Sequence, residues 1–285
     1  MLAYDIRGCG PGLVLLHGIG STASETWGTL ADSLAAENTV LLPDLPGSGR
    51  TPLPGGRLEV DAVADEVVAT AREAGLDDFV VAGASLGAAV AVKVAARHPD
   101  RVNGLFTLAG FARPRTALWL HLERWASLRA RHDSELSAYV STLSFSADHL
   151  AALTPEGAQD VAARSAMSVP GAAEQIALAL RIDVRGDLPA ITAPSLVVAA
   201  MGDRFVSPEH SVELAEGIPG ARLAAVRGGH TATVEEPDRI LEILTEFLRE
   251  VRRSDPLGSR AATFPRPAAD ESQLLPAVPL PRSPG

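Results

Sequence analysis

The chain has 285 residues, a net charge of −10, 46% hydrophobic residues and a single cysteine. This length and apolar fraction suit one large domain or two small ones with a substantial core. The acidic balance argues against nucleic-acid binding, and one cysteine excludes a disulfide framework or a thiolate metal cage. No apolar run is long enough to span a membrane and no apolar signal core begins the sequence, so we expect a cytoplasmic protein.

Short aliphatic runs alternate with helical patterns, which is typical of a parallel sheet wrapped by helices. The predicted strands are 12–17, 39–42, 79–83, 102–109, 194–200 and 221–226. Their nearly continuous apolar character predicts burial on both faces. Helix starts are predicted at Thr154-Pro155 and Ser207-Pro208, and the clearest helical stripe is Ile240, Ile243, Leu244, Phe247, Leu248 and Val251. The fold class is therefore α/β, with a mostly parallel, doubly wound sheet.

The strand–helix alternation stops between residues 111 and 186, where the pattern becomes helical. We interpret this region as a cap, or lid, over the sheet edge, inserted into an α/β core of residues 1–110 and 187–251. The alternative is a set of extra helices that only enlarge the core. Four aromatic residues of the region are candidates for substrate binding: Phe111, Trp119, Trp125 and Phe145.

The last segment, residues 252–285, contains seven of the 21 prolines and few large apolar residues. Such a composition cannot pack a core, so we predict a disordered tail. A proline-rich ligand for a partner and an expression remnant are the alternatives for this segment.

The strongest chemical signal is Gly83-Ala84-Ser85-Leu86-Gly87, which follows a predicted strand and precedes a helical run. This is the G-x-S-x-G pattern in its strand–turn–helix context. A serine raised on a sharp turn needs a strained backbone and small neighbours, which the two glycines supply. The pattern predicts Ser85 as a nucleophile and the backbone N–H of Leu86 as an oxyanion donor.

A nucleophilic serine needs a base and the base needs an orienting acid, in the chain order serine, acid, histidine. Asp203 and His230 each follow a predicted strand, at the edge where open α/β sheets bind ligands. We therefore predict His230 as the base and Asp203 as the acid. Among the other histidines we expect His98 to cap a helix and His121, His132, His149 and His210 to be solvated.

A glycine-flanked loop follows the first long strand. Gly18 and Gly20 let the Ile19 amide approach a substrate, so its backbone N–H is the candidate second oxyanion donor. His17 is predicted to hold this loop by hydrogen bonds rather than to act in acid–base chemistry.

The same loop also fits the G-x-G-x-x-A pattern of dinucleotide binding at residues 18–23. Against this interpretation, residues 24–27 do not begin an apolar helix face, and Asp44 precedes a turn. A Walker phosphate loop is excluded because Lys93, the one lysine, follows no glycine-rich loop. No His, Asp or Glu group has metal-ligand spacing, so we expect neither a cofactor nor a metal.

Taken together, six segments resemble the α/β-hydrolase superfamily: 15–20, 43–49, 83–87, 98–102, 202–203 and 229–230. The resemblance covers residues 3 to 251. It implies Ser85 as nucleophile, Asp203 as acid and His230 as base, with a helical cap over the pocket. Ser48 stands where many relatives carry histidine, and we expect that difference to be structurally neutral.

The expected activity is a cofactor-independent serine hydrolase that cleaves a small, hydrophobic ester, lactone or thioester through an acyl-enzyme. Serine at the turn argues against the relatives that use aspartate there, the dehalogenases and soluble epoxide hydrolases. C–C bond hydrolysis, cyclisation and perhydrolysis on the same fold are alternatives, as is a ligand-binding protein with little turnover. The sequence does not indicate an oligomeric state.

Overall fold

The computed structural model describes residues 1–166 and 169–254, apart from the side chains of Thr29 and residues 164–166. These residues form one seven-stranded sheet: β1 Tyr4–Arg7, β2 Gly12–Leu16, β3 Thr39–Pro43, β4 Phe79–Ala84, β5 Val102–Leu108, β6 Ser195–Ala200 and β7 Arg222–Val226. The strand order is β1-β3-β2-β4-β5-β6-β7, and only β1 is antiparallel to its neighbour within this sheet. The predicted α/β fold with a mostly parallel sheet is confirmed.

Eleven α-helices lie in the described part of the chain. They are α1 Ala23–Leu34, α2 Val60–Glu73, α3 Leu86–Arg97, α4 Thr116–Ala130, α5 Leu136–Ser144, α6 Ala147–Ala152, α7 Pro155–Ala166, α8 Ala172–Ala179, α9 Pro208–Gly217, α10 Ala232–Glu235 and α11 Pro237–Ser254. The predicted helix starts at Pro155 and Pro208 are confirmed. Within residues 1–166 and 169–254, no helix is both long and apolar enough to cross a membrane.

The two edge strands differ from the predictions. β1 was not predicted, because it has only four residues, of which two are exposed and two are half-buried. It pairs with β3 from Tyr4 opposite Pro43 to Arg7 opposite Val40. At the other edge, the prediction of burial on both faces is wrong for β7, where Leu223 is 48% exposed. A strand at the sheet edge is covered incompletely by the flanking helices.

A helix does follow the glycine-flanked loop, so the expectation of no apolar helix face after residue 23 is wrong. Thr22 caps α1, and its side chain forms a capping box with Glu25. The buried face of this helix consists of Ala23, Trp27, Leu30, Ala31 and Leu34. Trp27 also donates its indole N–H to the Leu16 carbonyl, 3.1 Å away, which fixes α1 against the end of β2.

The last helix packs one apolar stripe against the sheet. All six residues of the predicted stripe are buried: Ile240, Ile243, Leu244, Phe247, Leu248 and Val251. Phe247 meets Phe106 of β5 with ring centroids 6.2 Å apart. Because α11 continues to Ser254, the predicted tail begins three residues too early. The remainder of that predicted tail, residues 255–285, lies outside the described residues.

Helices α4 to α8 lie between β5 and β6 and are called the helical insertion here, residues 111–186. Its two ends meet where the Val184 N–H donates to the Ala112 carbonyl at 2.9 Å. The chain therefore leaves the sheet and returns to it at one place. The helical insertion contacts the loops that follow β2 and β6 and the short helix after β7, at the carboxyl ends of these parallel strands.

Candidate active site

Ser85 lies on the sharp turn between β4 and α3. Its φ of +56° and ψ of −120° are strained values for a residue with a side chain. A Cβ added at Gly83 would lie 2.1 Å from the Gly87 carbonyl oxygen, and one at Gly87 would lie 2.6 Å from the Leu16 and His17 carbonyl oxygens. Glycine at position 83 therefore lets α3 begin directly beside the end of β4, and glycine at position 87 lets α3 pack against the end of β2.

The predicted acid, base and nucleophile meet at the carboxyl edge of the sheet. The His230 Nε2 is 2.9 Å from the Ser85 Oγ, and its Nδ1 is 2.7 Å from the Asp203 Oδ2. The Asp203 Oδ1 accepts the backbone N–H groups of Phe205 and Val206, each at 2.8 Å. These bonds fix the carboxylate, which in turn places the proton of the imidazole on Nδ1. The Nε2 lone pair is then directed at the serine hydroxyl.

Two unpaired amides lie beside the serine. A Cβ added at Gly18 would lie 3.1 Å from the Ser85 Cβ and 3.5 Å from its Oγ, so this loop passes close to the hydroxyl. Across the described ranges, neither the Ile19 nor the Leu86 N–H donates a hydrogen bond to a protein atom. Leu86 is the first residue of α3, where the helix itself offers no acceptor. Both N–H groups are available to an oxyanion.

His17 is fully buried behind this loop. Its Nδ1 lies 2.8 Å from the Gly18 carbonyl oxygen, and its Nε2 accepts the Leu45 N–H at 2.8 Å. Desolvation lowers the pKa of His17, against a smaller opposing effect from its bond to the Gly18 carbonyl. A neutral imidazole with the proton on Nδ1 satisfies both bonds. The prediction that His17 holds the loop by hydrogen bonds is confirmed.

The residues of the dinucleotide pattern do not fit a phosphate. The Gly20 N–H donates to the Gln175 Oε1 at 2.9 Å, and the Ala23 N–H donates to the Asp44 Oδ1 at 3.3 Å. A pyrophosphate at a helix start needs such amides for its own oxygens. Here side chains already occupy them, and one of these side chains is a carboxylate, which repels phosphate.

Ser48 belongs to a buried hydrogen-bond network, and the expected neutrality of serine in place of histidine here stays a prediction. Its side chain is fully buried, and its Oγ accepts the Nε2–H of Gln175 at 2.9 Å. This hydroxyl belongs to the hydrogen-bond network that joins the helical insertion to the loop after β3. The small side chain leaves room for the glutamine.

Phe205 connects the imidazole to the helical insertion, and the sequence patterns did not single it out. Its ring meets that of His230 edge-on at 5.3 Å between centroids. On its other side it packs edge-on against Trp125 at 5.6 Å and stacks with His121 at 6.0 Å. Aromatic contacts therefore run from α4 to the predicted base.

The four aromatic residues predicted to bind substrate have different surroundings. The loop after β2, residues 17–21, is called the oxyanion loop here because it contains Ile19, a predicted oxyanion donor. Trp125 is 9% exposed, and its ring lies against Gly20 of this loop as well as against Phe205. Trp119 is 43% exposed on the same helix. Phe111 is buried against the ring of His210, and Phe145 stacks on His149 at 4.9 Å. Of the four, the Trp125 ring is the one in contact with residues at the predicted site.

Glu235 links the loop between β7 and α10, which contains His230 and is called the histidine loop here, to the helical insertion. Its carboxylate accepts the Gly229 N–H at 3.0 Å and the Ser146 N–H at 3.2 Å. It also accepts the hydroxyls of Ser146 and Thr231, at 2.5 and 3.1 Å. A Cβ added at Gly229 would lie 2.5 Å from the Ser146 nitrogen, so glycine permits this close approach. The residue before His230 is thereby anchored to the start of α6.

His210 is buried rather than solvated, which corrects the expectation for this residue. Its Nε2 accepts the Arg115 N–H at 3.2 Å, at the start of α4, and its Nδ1 is 3.1 Å from the Ser207 carbonyl oxygen. Desolvation is the main cause of its lowered pKa. His210 therefore joins α9 to the helical insertion as a neutral imidazole.

Comparison with known proteins gives a consistent family. A family model of the alpha/beta hydrolase fold matches residues 11–237. The pyrrolizixenacetamide deacetylase of Xenorhabdus hominickii is 33% identical to the chain over 250 residues, which cover 87% of the chain and 94% of that protein.

Solved structures show the same architecture. A thermophilic esterase from Thermogutta terrifontis superposes with a TM-score of 0.76 and 26% identity, over 88% of this chain and 93% of that one. The enol-lactonase of Burkholderia xenovorans LB400 superposes with a TM-score of 0.77 and 25% identity, over 87% of this chain and 96% of that one. The likeness thus extends over the whole fold rather than one motif.

Proposed function

The chain belongs to the α/β-hydrolase family, and from that premise we propose that it is a serine hydrolase that cleaves a carboxylic ester, lactone or thioester through an acyl-enzyme. The observation that carries the proposal is the hydrogen-bonded series from the Ser85 Oγ through His230 to Asp203, with spacings of 2.9 and 2.7 Å. Such a series converts a weakly nucleophilic hydroxyl into a reactive one.

In the first half-reaction, His230 removes the Ser85 proton at Nε2 while Oγ attacks the substrate carbonyl carbon. The carbonyl π electrons move to oxygen, and the Ile19 and Leu86 N–H groups stabilise that oxyanion. His230 then protonates the leaving alcohol or thiol as its bond to carbon breaks. Asp203 stabilises the imidazolium that exists between these proton transfers.

In the second half-reaction, His230 takes a proton from water, and the resulting hydroxide adds to the acyl carbon. Collapse of the second tetrahedral intermediate releases the carboxylic acid and returns the proton to Ser85. We also propose that the helical insertion acts as the cap over this site, with Trp125 in the wall nearest the oxyanion loop. The apolar ring supports a hydrophobic acyl group as substrate.

The test is replacement of Ser85 by alanine. We expect Ser85→Ala to lose labelling by a fluorophosphonate probe and to lower kcat on an active ester by about 10⁶-fold. Ser33→Ala, which changes an exposed serine on α1, is the matched control and should behave as the parent protein does. Labelling of Ser85→Ala at the parent rate would refute the proposed nucleophile.

A substrate panel separates the chemical classes. It should contain p-nitrophenyl esters, lactones, thioesters and an acetanilide, the last because one relative is named a deacetylase. Fluorophosphonate labelling without turnover of any member would favour C–C bond chemistry, cyclisation or perhydrolysis. Tight binding of a small molecule that is recovered unaltered would favour a receptor role.

A further inference from the structure

The helical insertion sends one buried amide into the loops at the sheet edge. Gln175 of α8 is 1% exposed, and burying an amide is unfavourable unless its polar atoms are bonded. All of them are. Its Oε1 accepts the Gly20 N–H at 2.9 Å, while its Nε2 donates to the Pro46 carbonyl at 3.0 Å and to the Ser48 Oγ at 2.9 Å. A reversed amide would direct Nε2 at the Gly20 N–H, donor against donor, so the orientation is determined.

The side-chain amide of Gln175 is hydrogen-bonded to Gly20, the residue that follows Ile19, a predicted oxyanion donor. The Ile19 N–H shares a planar peptide unit with the Gly18 carbonyl, which is bonded to His17. The following peptide unit contains the Gly20 N–H, which is bonded to Gln175. Both peptide planes that flank Ile19 are therefore held, one from inside the core and the other from the helical insertion. Gly20 itself has a φ of +73°, which favours glycine.

The start of α8, the helix that carries Gln175, is anchored to the loop after β3. The Gly171 N–H donates to the Gly47 carbonyl at 2.9 Å, just before α8. A Cβ added at Gly171 would lie 2.5 Å from the Gly47 Cα, so the two backbones are in direct contact. The fully buried Ser48 adds a side-chain acceptor at the same place. The position of α8 thus determines the position of the Gln175 Oε1.

We propose that Gln175 is a positioning residue for the oxyanion hole, which aims the Ile19 N–H by holding the Gly20 amide from the helical insertion. This inference rests on the proposed acyl-enzyme chemistry and deepens it. The hole is complete only when α8 is seated on the loop after β3. Substrate entry that displaces α8 would release the Gly20 amide, and reseating of α8 would restore it.

The role predicts a specific kinetic signature. A misaligned oxyanion donor weakens binding of the transition state and leaves binding of the ground state largely intact. Loss of one whole donor costs about 10²- to 10³-fold in rate. Because the peptide plane that carries the Ile19 N–H is still held by His17, we expect loss of Gln175 to cost less, about 10- to 100-fold.

Gln175→Met is the test variant, because methionine is unbranched like glutamine and lacks its amide. Thr70→Val is the matched control, since it removes one buried hydrogen bond, from the Leu2 N–H to a side chain of α2, and leaves the contacts of Gln175 in place. The readouts are the second-order rate constant for phosphonylation of Ser85 by a fluorophosphonate, kcat and KM on an active ester, and the melting temperature. Gln175→Leu replaces the methionine variant if the latter does not fold.

We expect Gln175→Met to lower the phosphonylation rate and kcat by about 10- to 100-fold with KM changed less than about threefold. Thr70→Val should keep both rates within about threefold of the parent at a comparable loss of melting temperature. A purely structural glutamine would give equal rate losses in the two variants, which would overturn the inference, as would parental rates in Gln175→Met. If Ser85→Ala were also labelled at the parental rate, the proposed function itself would fall.

Discussion

The sheet edge and the helical insertion hold the groups around Ser85 in different ways. At the sheet edge the backbone is decisive, since the turn at Ser85 is strained and an added Cβ at Gly83 or Gly87, two residues to either side, would collide with carbonyl oxygens. In the helical insertion, buried polar and aromatic side chains make the contacts. Gln175 reaches the oxyanion loop, Ser146 meets Glu235 at the histidine loop, and Trp125 packs on Phe205.

This difference indicates that the two regions have different roles. In the proposed mechanism the sheet edge supplies the reacting groups, and their positions follow from strand ends and one tight turn. The helical insertion supplies side chains that reach the loops carrying those atoms. Substitutions at the sheet edge should therefore lower kcat strongly with little effect on the stability of the fold. Changes in the helical insertion should combine a loss of stability with a graded loss of rate.

Beyond replacement of Ser85 itself, the largest effect is expected from Asp203→Asn at the sheet edge. The Oδ1 of the substituted side chain can still accept the Phe205 and Val206 N–H groups, which leaves its amide nitrogen facing the imidazole. His230 then carries its proton on Nε2 and cannot accept the serine proton. We expect kcat to fall about 10⁴-fold with an unchanged circular dichroism spectrum.

Asp183→Asn provides the comparison for Asp203→Asn, because this exposed carboxylate pairs only with neighbouring Arg185 among the described residues. It should retain full activity. Turnover by Asp203→Asn within about tenfold of the parent would mean that the imidazole does not depend on this carboxylate.

The helical insertion is tested by two tryptophans of one helix. Trp125 is 9% exposed against Phe205, whereas Trp119 is 43% exposed. We expect Trp125→Ala to lower the free energy of unfolding by about 3–5 kcal/mol and to slow phosphonylation of Ser85. Trp119→Ala should change stability by less than about 0.5 kcal/mol. If urea denaturation gave equal losses of unfolding free energy in the two variants, the buried contacts of Trp125 would not contribute to the stability of the protein.

The smallest effect concerns pH and compares a buried histidine of the loop after β2 with a buried histidine of α9 that accepts a hydrogen bond from the helical insertion. Burial lowers the pKa of His17, in the core loop, and of His210, at the base of the helical insertion. In the unfolded chain both titrate near 6.5, so the unfolded state binds more protons as the pH falls below that value. The free energy of unfolding should be at its full value above about pH 7 and should fall through about pH 6.5 and below.

Urea denaturation at about pH 7.5 and pH 5.5 measures this effect, which is at most about 1.4 kcal/mol per pH unit for each histidine. His210→Asn should reduce the slope, while His132→Asn, which changes an exposed histidine, should leave it unchanged. An identical slope in His210→Asn would mean that its burial does not affect the pH dependence of stability.

Local patterns in the sequence were sufficient for much of the architecture. Six of the seven described strands, the stripe of α11 and the turn at Ser85 each have a signature that lies within a short stretch of sequence. A strand buried on both faces needs a continuous apolar run, and a strained serine needs glycines at set offsets. β1 escaped prediction because its short, half-exposed pattern resembles a loop.

The candidate site was predicted in part for the same reason. Ser85, Asp203 and His230 each follow a strand, and parallel strands end at one edge, so topology alone brings them near each other. Their spacing of 2.7 to 2.9 Å depends on tertiary packing across separations of 27 and 145 residues. The family pattern implied the pairing without defining its geometry.

What the sequence alone determined is the sheet, the turn with its serine and the order of the three polar residues, because each has a short-range pattern. Only the tertiary structure decided that Gln175 is hydrogen-bonded to the oxyanion loop and to Ser48, which is 127 residues away in the chain. The same holds for the hydrogen bond between Glu235 and Ser146, which are 89 residues apart. A buried amide or carboxylate in a helix has no periodic signature. Its partners are set by how distant loops pack, and that information arises only when the chain is folded.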